Sequence, residues 1–271
     1  MRSLKSFDVI YENVKENDMF SIKNFMDNQN INILDRKGVF RIVEHKSDQS
    51  VSAGEAQQAY FEQQMNVRRR QLLVELNNDV KVSVQPGAMQ WTLGNVDCGT
   101  GIKGVGDLIG KAFSSKVTKE AAIKPEYYGS GLLMLEPTYK HIILVDVSAW
   151  GSIVLEDGLF LASDSNLTMK TVMRKNVSSA VAGGEGLFNL CLSGSGIAAL
   201  ESSVPETELF EIELKDDILK IDGSMAIAWS DSLKFTVERS SKSLFGAAVN
   251  GEGLVNVYSG TGKVLMAPTA Y

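Results

Sequence analysis

Gly99-x-Gly101-x-x-Gly104 comes nearest in this chain to spelling a cofactor site. Glycines at that spacing let backbone approach a pyrophosphate, but only between a strand and a helix and with an acidic residue about 20 positions on. The neighbouring sequence is β-patterned and offers no second parallel strand. The glycines therefore read as a lead into a short amphipathic helix carrying Leu108, Ile109, Ala112 and Phe113, with Asp107 as its cap. A phosphate loop fails at Gly110-Lys111, because Ala112 follows where a hydroxyl must meet magnesium.

Other reactive side chains are thinly spread. His45 and His141 lie in different regions, whereas a cupin-type metal centre gathers two or three histidines and a carboxylate. Cys98 and Cys191 have no metal-ligand spacing and no histidine nearby in sequence, and read as two buried thiols. Glu185 and Glu252 occupy equivalent Gly-Glu-Gly turns. They could act as paired carboxylates, but exposed glutamates between turn glycines are the simpler reading. Arg68-Arg69-Arg70 could hold an anion and reads instead as a solvated strand entrance. Trp91, Trp150 and Trp229 could stack on bases, although packing is the commoner use of tryptophan. No catalytic, metal-binding or cofactor-binding residue is assigned, no cofactor is expected, and the chain reads as a non-enzyme.

Composition narrows the partners. With 27 Lys and Arg against 33 Asp and Glu in 271 residues, the net charge of −6 lacks the basic footprint that phosphate binding leaves. No run approaches the ~18 apolar residues of a membrane span, and Met1-Arg2-Ser3-Leu4-Lys5 opens no signal-peptide core. A cytoplasmic chain is expected.

The elements that must position these residues divide near residue 66. Residues 1–66 read as a small α+β extension, with a strand at Val39–Val43. A capping box at Ser52-Ala53-Gly54-Glu55 opens a helix running to about Asn66, with Ala56, Tyr60, Phe61 and Met65 as its buried stripe. Residues 67–271 read as an all-β core. Three turn glycines anchor it: Gly87, Gly158 and Gly223. Thirteen residues before them stand Val74, Val145 and Phe210; eleven before, Leu76, Val147 and Ile212; five before, Val82, Ile153 and Ile218; two after, Met89, Phe160 and Met225. A second set, Gly131, Gly186 and Gly253, is followed by Leu132, Leu187 and Leu254. Offsets differing by two share a strand face, so each unit presents one apolar face. Three such units of about 65 to 70 residues are each too small to bury their own faces. Packing about an internal pseudo-threefold would cover them. Sheet edges of this kind associate, so a homo-oligomer is expected.

Val84-Gln85-Pro86-Gly87-Ala88-Met89, Gly184-Glu185-Gly186-Leu187-Phe188-Asn189 with Gly194-Ser195-Gly196, and Gly251-Glu252-Gly253-Leu254 resemble the altered-inheritance-of-mitochondria (mitochondrial biogenesis) family over about residues 70–268. The resemblance implies tandem β-sandwich-like units similar to the tryptophan RNA-binding attenuation protein. Mitochondrial members are linked to inner-membrane organisation, whereas the bacterial members this chain looks like have no settled activity. The family offers no catalytic motif to carry over. The expected function is that of a non-catalytic binding or scaffold protein. The alternatives are a small-ligand or nucleic-acid module on the β surface and, behind it, a cupin-like metal enzyme.

Overall fold

The computed structural model describes residues 20–99, 124–173, 188–239 and 254–269. The glycine-rich insertion beyond Gly99, its helix, Glu185, Gly186, Glu252 and Gly253 lie outside them. In chain order the elements are β1 (Ile31–Lys37), β2 (Phe40–His45), helix α1 (Ala56–Gln64), β3 (Arg70–Leu76), β4 (Lys81–Val84), β5 (Met89–Gly99) and β6 (Glu126–Leu135). Next come β7 (His141–Asp146), β8 (Ser152–Leu155), β9 (Phe160–Asp164), β10 (Thr168–Met173), β11 (Phe188–Ser193) and β12 (Ile197–Ser202). The last are β13 (Phe210–Asp222), β14 (Ala226–Ser230), β15 (Lys234–Arg239) and β16 (Leu254–Met266).

Among the described residues every ladder is antiparallel, and the strands form two sheets. One runs β1-β2-β3-β6-β4-β9-β12-β7, with β5 also on β6; the other runs β10-β11-β8-β14-β16-β13, with β15 also on β16. The first curls into a barrel. At its two ends, Lys37 Nζ on β1 donates to the Leu144 carbonyl on β7 at 2.6 Å. The second stays a half-barrel with β13 as one edge. The β1–β2 hairpin closes through the two-residue loop Gly38–Val39, with Gly38 at φ +55, and β2 continues the core sheet by pairing with β3.

The same set of backbone bonds occurs at three places. Glu136 N–H donates to Ala88 O, Glu201 N–H to Leu159 O, and Ala267 N–H to Met225 O, at 2.7–2.8 Å. Just beyond each, a bulge shifts the ladder by one residue: at Met89/Trp91 on β5, at Ala199/Leu200 where β12 meets β9, and at Ala226/Ala228 on β14. Gly129 in β6, Gly194 in the bend between β11 and β12, and Gly260 in β16 take φ of +112, +113 and +117. Between these places run two seams of matching form. Across β4–β9, Gln85 N–H donates to Leu161 O and Ser165 N–H to Lys81 O. Across β8–β14, Glu156 N–H donates to Ile227 O and Asp231 N–H to Ser152 O.

This register corrects the positions expected from the glycine anchors. Gly87, Gly158 and Gly223 take φ of +82, +79 and +75, but Gly223 stands one place earlier in its turn than the other two. Counting back from it slips by one at Ile218, which faces solvent at 59% exposure while Val82 and Ile153 are fully buried. β13 also runs with one residue fewer, so the strand position of Val74 and Val145 is held by Ile212. Phe210, two residues further out, is 52% exposed. Gly131 lies inside β6 rather than in a turn. An added Cβ there would meet the Leu93 carbonyl at 2.0 Å.

The core forms where the strands share faces. Phe40, Leu72, Val74, Val82, Leu133 and Leu144 fill the first barrel. Ile153, Leu155, Phe160, Leu192, Leu200 and Ile227 fill the space between β7–β12 and β14. Trp229, Phe235 and Tyr258 stack within a third cluster, ring centroids 5.1–5.9 Å apart, so Trp229 is a packing residue. Each fully buried aliphatic side chain contributes about 1.5–3 kcal/mol. Phe25, Ile31 and Ile33, together with Trp91, cover Val43, Leu73 and Met134 on the outer face of β2, β3 and β6.

Helix α1 departs from expectation. It buries no residue, and Tyr60, Phe61 and Met65 are all exposed. The Glu55 carboxylate accepts from Ser52 N–H at 3.3 Å, as the capping box requires, but the Ser52 hydroxyl donates to the same carboxylate at 2.7 Å. That hydroxyl therefore caps no helix N–H, and half of the box is missing. Asn66, at φ +64, ends the helical turn.

Candidate functional site

Titratable side chains concentrate where the end of β2, the start of β3 and the segment before β7 converge beneath α1. The Arg68-Arg69-Arg70 run enters here, and it is not a solvated entrance. Arg70 is 2% exposed because β3 is covered on both sides here: Glu44 of β2 lies opposite it on one side, and Thr138 exchanges backbone hydrogen bonds with it on the other. Its Nη2 donates to Glu44 Oε2 at 2.7 Å, to Asn66 Oδ1 at 2.7 Å and to the Asn66 carbonyl at 3.0 Å. Arg68 Nη1 donates to Glu44 Oε1 at 3.1 Å, so one buried carboxylate holds two guanidinium groups. A buried charge survives only with such pairing and hydrogen bonding.

Both histidines border this cluster, although sequence separation placed them apart. His45 Nε2 lies 3.4 Å from Gln71 Oε1, and burial followed by the Arg69 charge holds its pKa below the ordinary value. His141 is held below its ordinary value by burial, then by Arg70, with Glu44 opposing. Tyr139 Oη donates to Asp48 Oδ2 at 2.8 Å, which lowers the carboxyl pKa and raises the phenol's. A cleft beside the cluster is lined by Asp48, Glu62, Gln63, Arg68, Arg69 and Tyr139 among others. Its enclosed space, about 40 Å³, holds a few water molecules rather than a cofactor. Arg69 Nη2 stands 3.7 Å from Asp48 Oδ1, and Arg69 Nε is buried without a protein partner. Positive and negative side chains balance across the cleft.

The remaining reactive groups are dispersed. Asp164 is half-buried, which raises its pKa, and its Oδ2 accepts the Ile197 N–H at 2.7 Å. Ser230 Oγ does the same for the Lys263 N–H at 3.0 Å. Asn166 and Ser232 then donate to the Ser195 and Thr261 carbonyls, so each hairpin clamps a Gly-x-Gly stretch, one in the bend before β12 and one inside β16. Cys191 is buried, and burial pushes its thiol up to about 11. Cys98 is exposed, contrary to the expectation of two buried thiols, because β5 pairs on one side only. Among the described residues no three His, Cys, Asp or Glu side chains group as metal ligands, and no helix is long and apolar enough to cross a membrane. The Glu44–Arg70 fastening escaped sequence reading because its members are 26 residues apart. A buried strand opening on arginine was its one visible sign.

Comparison with known proteins places the chain among relatives. An uncharacterized protein of Streptococcus pyogenes serotype M6 is 27% identical over 198 residues, covering 70% of this chain and 78% of its own. The crystal structure of a Streptococcus pyogenes protein matches with a TM-score of 0.55 at 23% identity, over 85% of this chain and 94% of that one, which shows a shared fold. The family model described as mitochondrial biogenesis AIM24 matches residues 61–269, and this chain belongs to that family.

Proposed function

We propose that this chain is a non-catalytic binding or scaffold protein of the cytoplasm. It would be built from three tandem modules, β3–β6, β7–β12 and β13–β16, each similar to the attenuation-protein unit. The observation that carries the functional half is how the interior charges are used. Glu44 is committed to Arg68 and Arg70, and Asp164 to a strand N–H, so each acts as a fastening. A thiol with a pKa of about 11 is protonated at neutral pH and a poor nucleophile. The tandem half is supported by the recurring bonds, bulges and Gly-x-Gly geometry.

A second reading, a site for a small anionic group, is favoured by the unpartnered Arg69 Nε in the cleft. The net charge of −6 speaks against nucleic acid as that partner. The test is incubation of the purified chain with a cellular metabolite extract, followed by mass spectrometry. No compound should be consumed. Turnover abolished by Glu44→Gln or His141→Gln would overturn the non-catalytic reading. Chemical-shift changes at Arg69 on adding inorganic phosphate would favour the anion site.

A further inference from the structure

The seam that joins one module to the next is built twice in this chain, and its two complementary halves are each present once more without a partner. In the closed seams, Ser83 lies opposite Ser163 and Val154 opposite Trp229. By the same register, the third pair of matching residues is Lys220 on β13 and Thr92 on β5. Among the described residues β5 pairs only with β6, and β13 only with β16. Both Lys220 and Thr92 are exposed, and so are Asp217, Ile218 and Met89 around them. The Ile218 N–H, whose counterparts lie on the seam side, instead donates to the neighbouring Asp217 carboxylate at 2.8 Å. Among the described residues the two halves do not meet within the chain, since β5 and β13 belong to different sheets.

We propose that residues 217–222 of β13 pair, antiparallel, with residues 90–94 of β5 in a second copy of this chain. This rests on the three-module reading. The contact would be continuous with the sheet on both sides. Asp222 N–H would donate to Gln90 O, Gly94 N–H to Ile218 O, and Lys220 and Thr92 would exchange a bond in each direction. Those are the partners that the β4–β9 and β8–β14 seams supply. Because the two surfaces differ, the contact is head-to-tail. Two copies that satisfy each other close a dimer, and copies that do not close extend a chain.

The test uses full-length protein carrying Cys98→Ser, with folding followed by circular dichroism. Lys220→Cys and Thr92→Cys are made in separate preparations, mixed and oxidised. A disulfide-linked dimer should form in the mixture at several times its yield in either preparation alone, since residues facing each other across a ladder lie within disulfide reach. Ser83→Cys with Ser163→Cys in one chain is the control and should give an intrachain disulfide. If the control forms and the mixture does not, the second-copy seam is wrong and the module reading stands. If the control fails in folded protein, the module reading fails. A Lys220→Cys dimer formed without the partner, or an intrachain Lys220→Cys/Thr92→Cys bridge, also overturns the proposal. Lys220→Pro, which removes an outward N–H, should return the light-scattering mass to that of one chain.

Discussion

Glu44 and Arg70 show how a single residue pair ties the end of β2 to the start of β3. Both side chains are almost fully buried, so removing the Glu44 carboxylate leaves the Arg70 charge without its counter-ion. Glu44→Gln should cost about 3–5 kcal/mol in urea unfolding, and a paired Glu44→Leu/Arg70→Met change should recover part of it. The histidines add a pH dependence. A base whose folded pKa lies below its unfolded value stabilises fully above the unfolded value and loses that contribution as pH falls through it. For His45 and His141 the unfolded value is near 6.5, so the melting temperature should fall from about pH 7 to pH 5. His45→Asn together with His141→Gln should flatten that fall; an unchanged slope would assign it to other groups. Among the glycines with matched φ, Gly129→Ala should be the most damaging. Its added Cβ would sit 2.1 Å from the Asn95 carbonyl, whereas at Gly260 the nearest atom is 3.9 Å away and only the left-handed backbone cost of about 1–2 kcal/mol applies.

At the scale of elements, strands were legible where one face is wet. The alternation at Leu233-Lys234-Phe235-Thr236-Val237-Glu238 marks β15, and Val39–Val43 marks β2 to within two residues. Register was legible before Gly87 and Gly158 and lost before Gly223. A glycine moved by one place in its turn is invisible to counting, yet it exchanges the faces of a strand. The helix stripe failed for a different reason. Periodicity states which residues share a side, not whether anything covers it. Tyr60→Ser and Phe61→Ser should therefore change stability by no more than about 0.5 kcal/mol, as surface substitutions do. The hairpin clamps are the counter-case, legible only in three dimensions. Ser230→Ala should cost about 1 kcal/mol and accelerate hydrogen exchange selectively at the Lys263 amide.

For the whole molecule, apolar positions recurring at fixed distances from glycine were readable, and the three-module proposal starts from them. The arrangement of the units was not, since a seam is made of backbone groups that every residue carries. Polar candidates were equally hidden: Arg68-Arg69-Arg70 looked like surface until β2 and the Thr138 segment enclosed its last member. On the reading proposed above, the unpaired edge of β13 is where a scaffold would gain its neighbour. Hydrogen exchange at Gln85, Glu156 and Asp222, the three corresponding seam amides, measures this directly. In dilute solution Gln85 and Glu156 should be protected and Asp222 should exchange freely, becoming protected as concentration rises. Asp222 protected as strongly as the other two in a single dilute chain would contradict it.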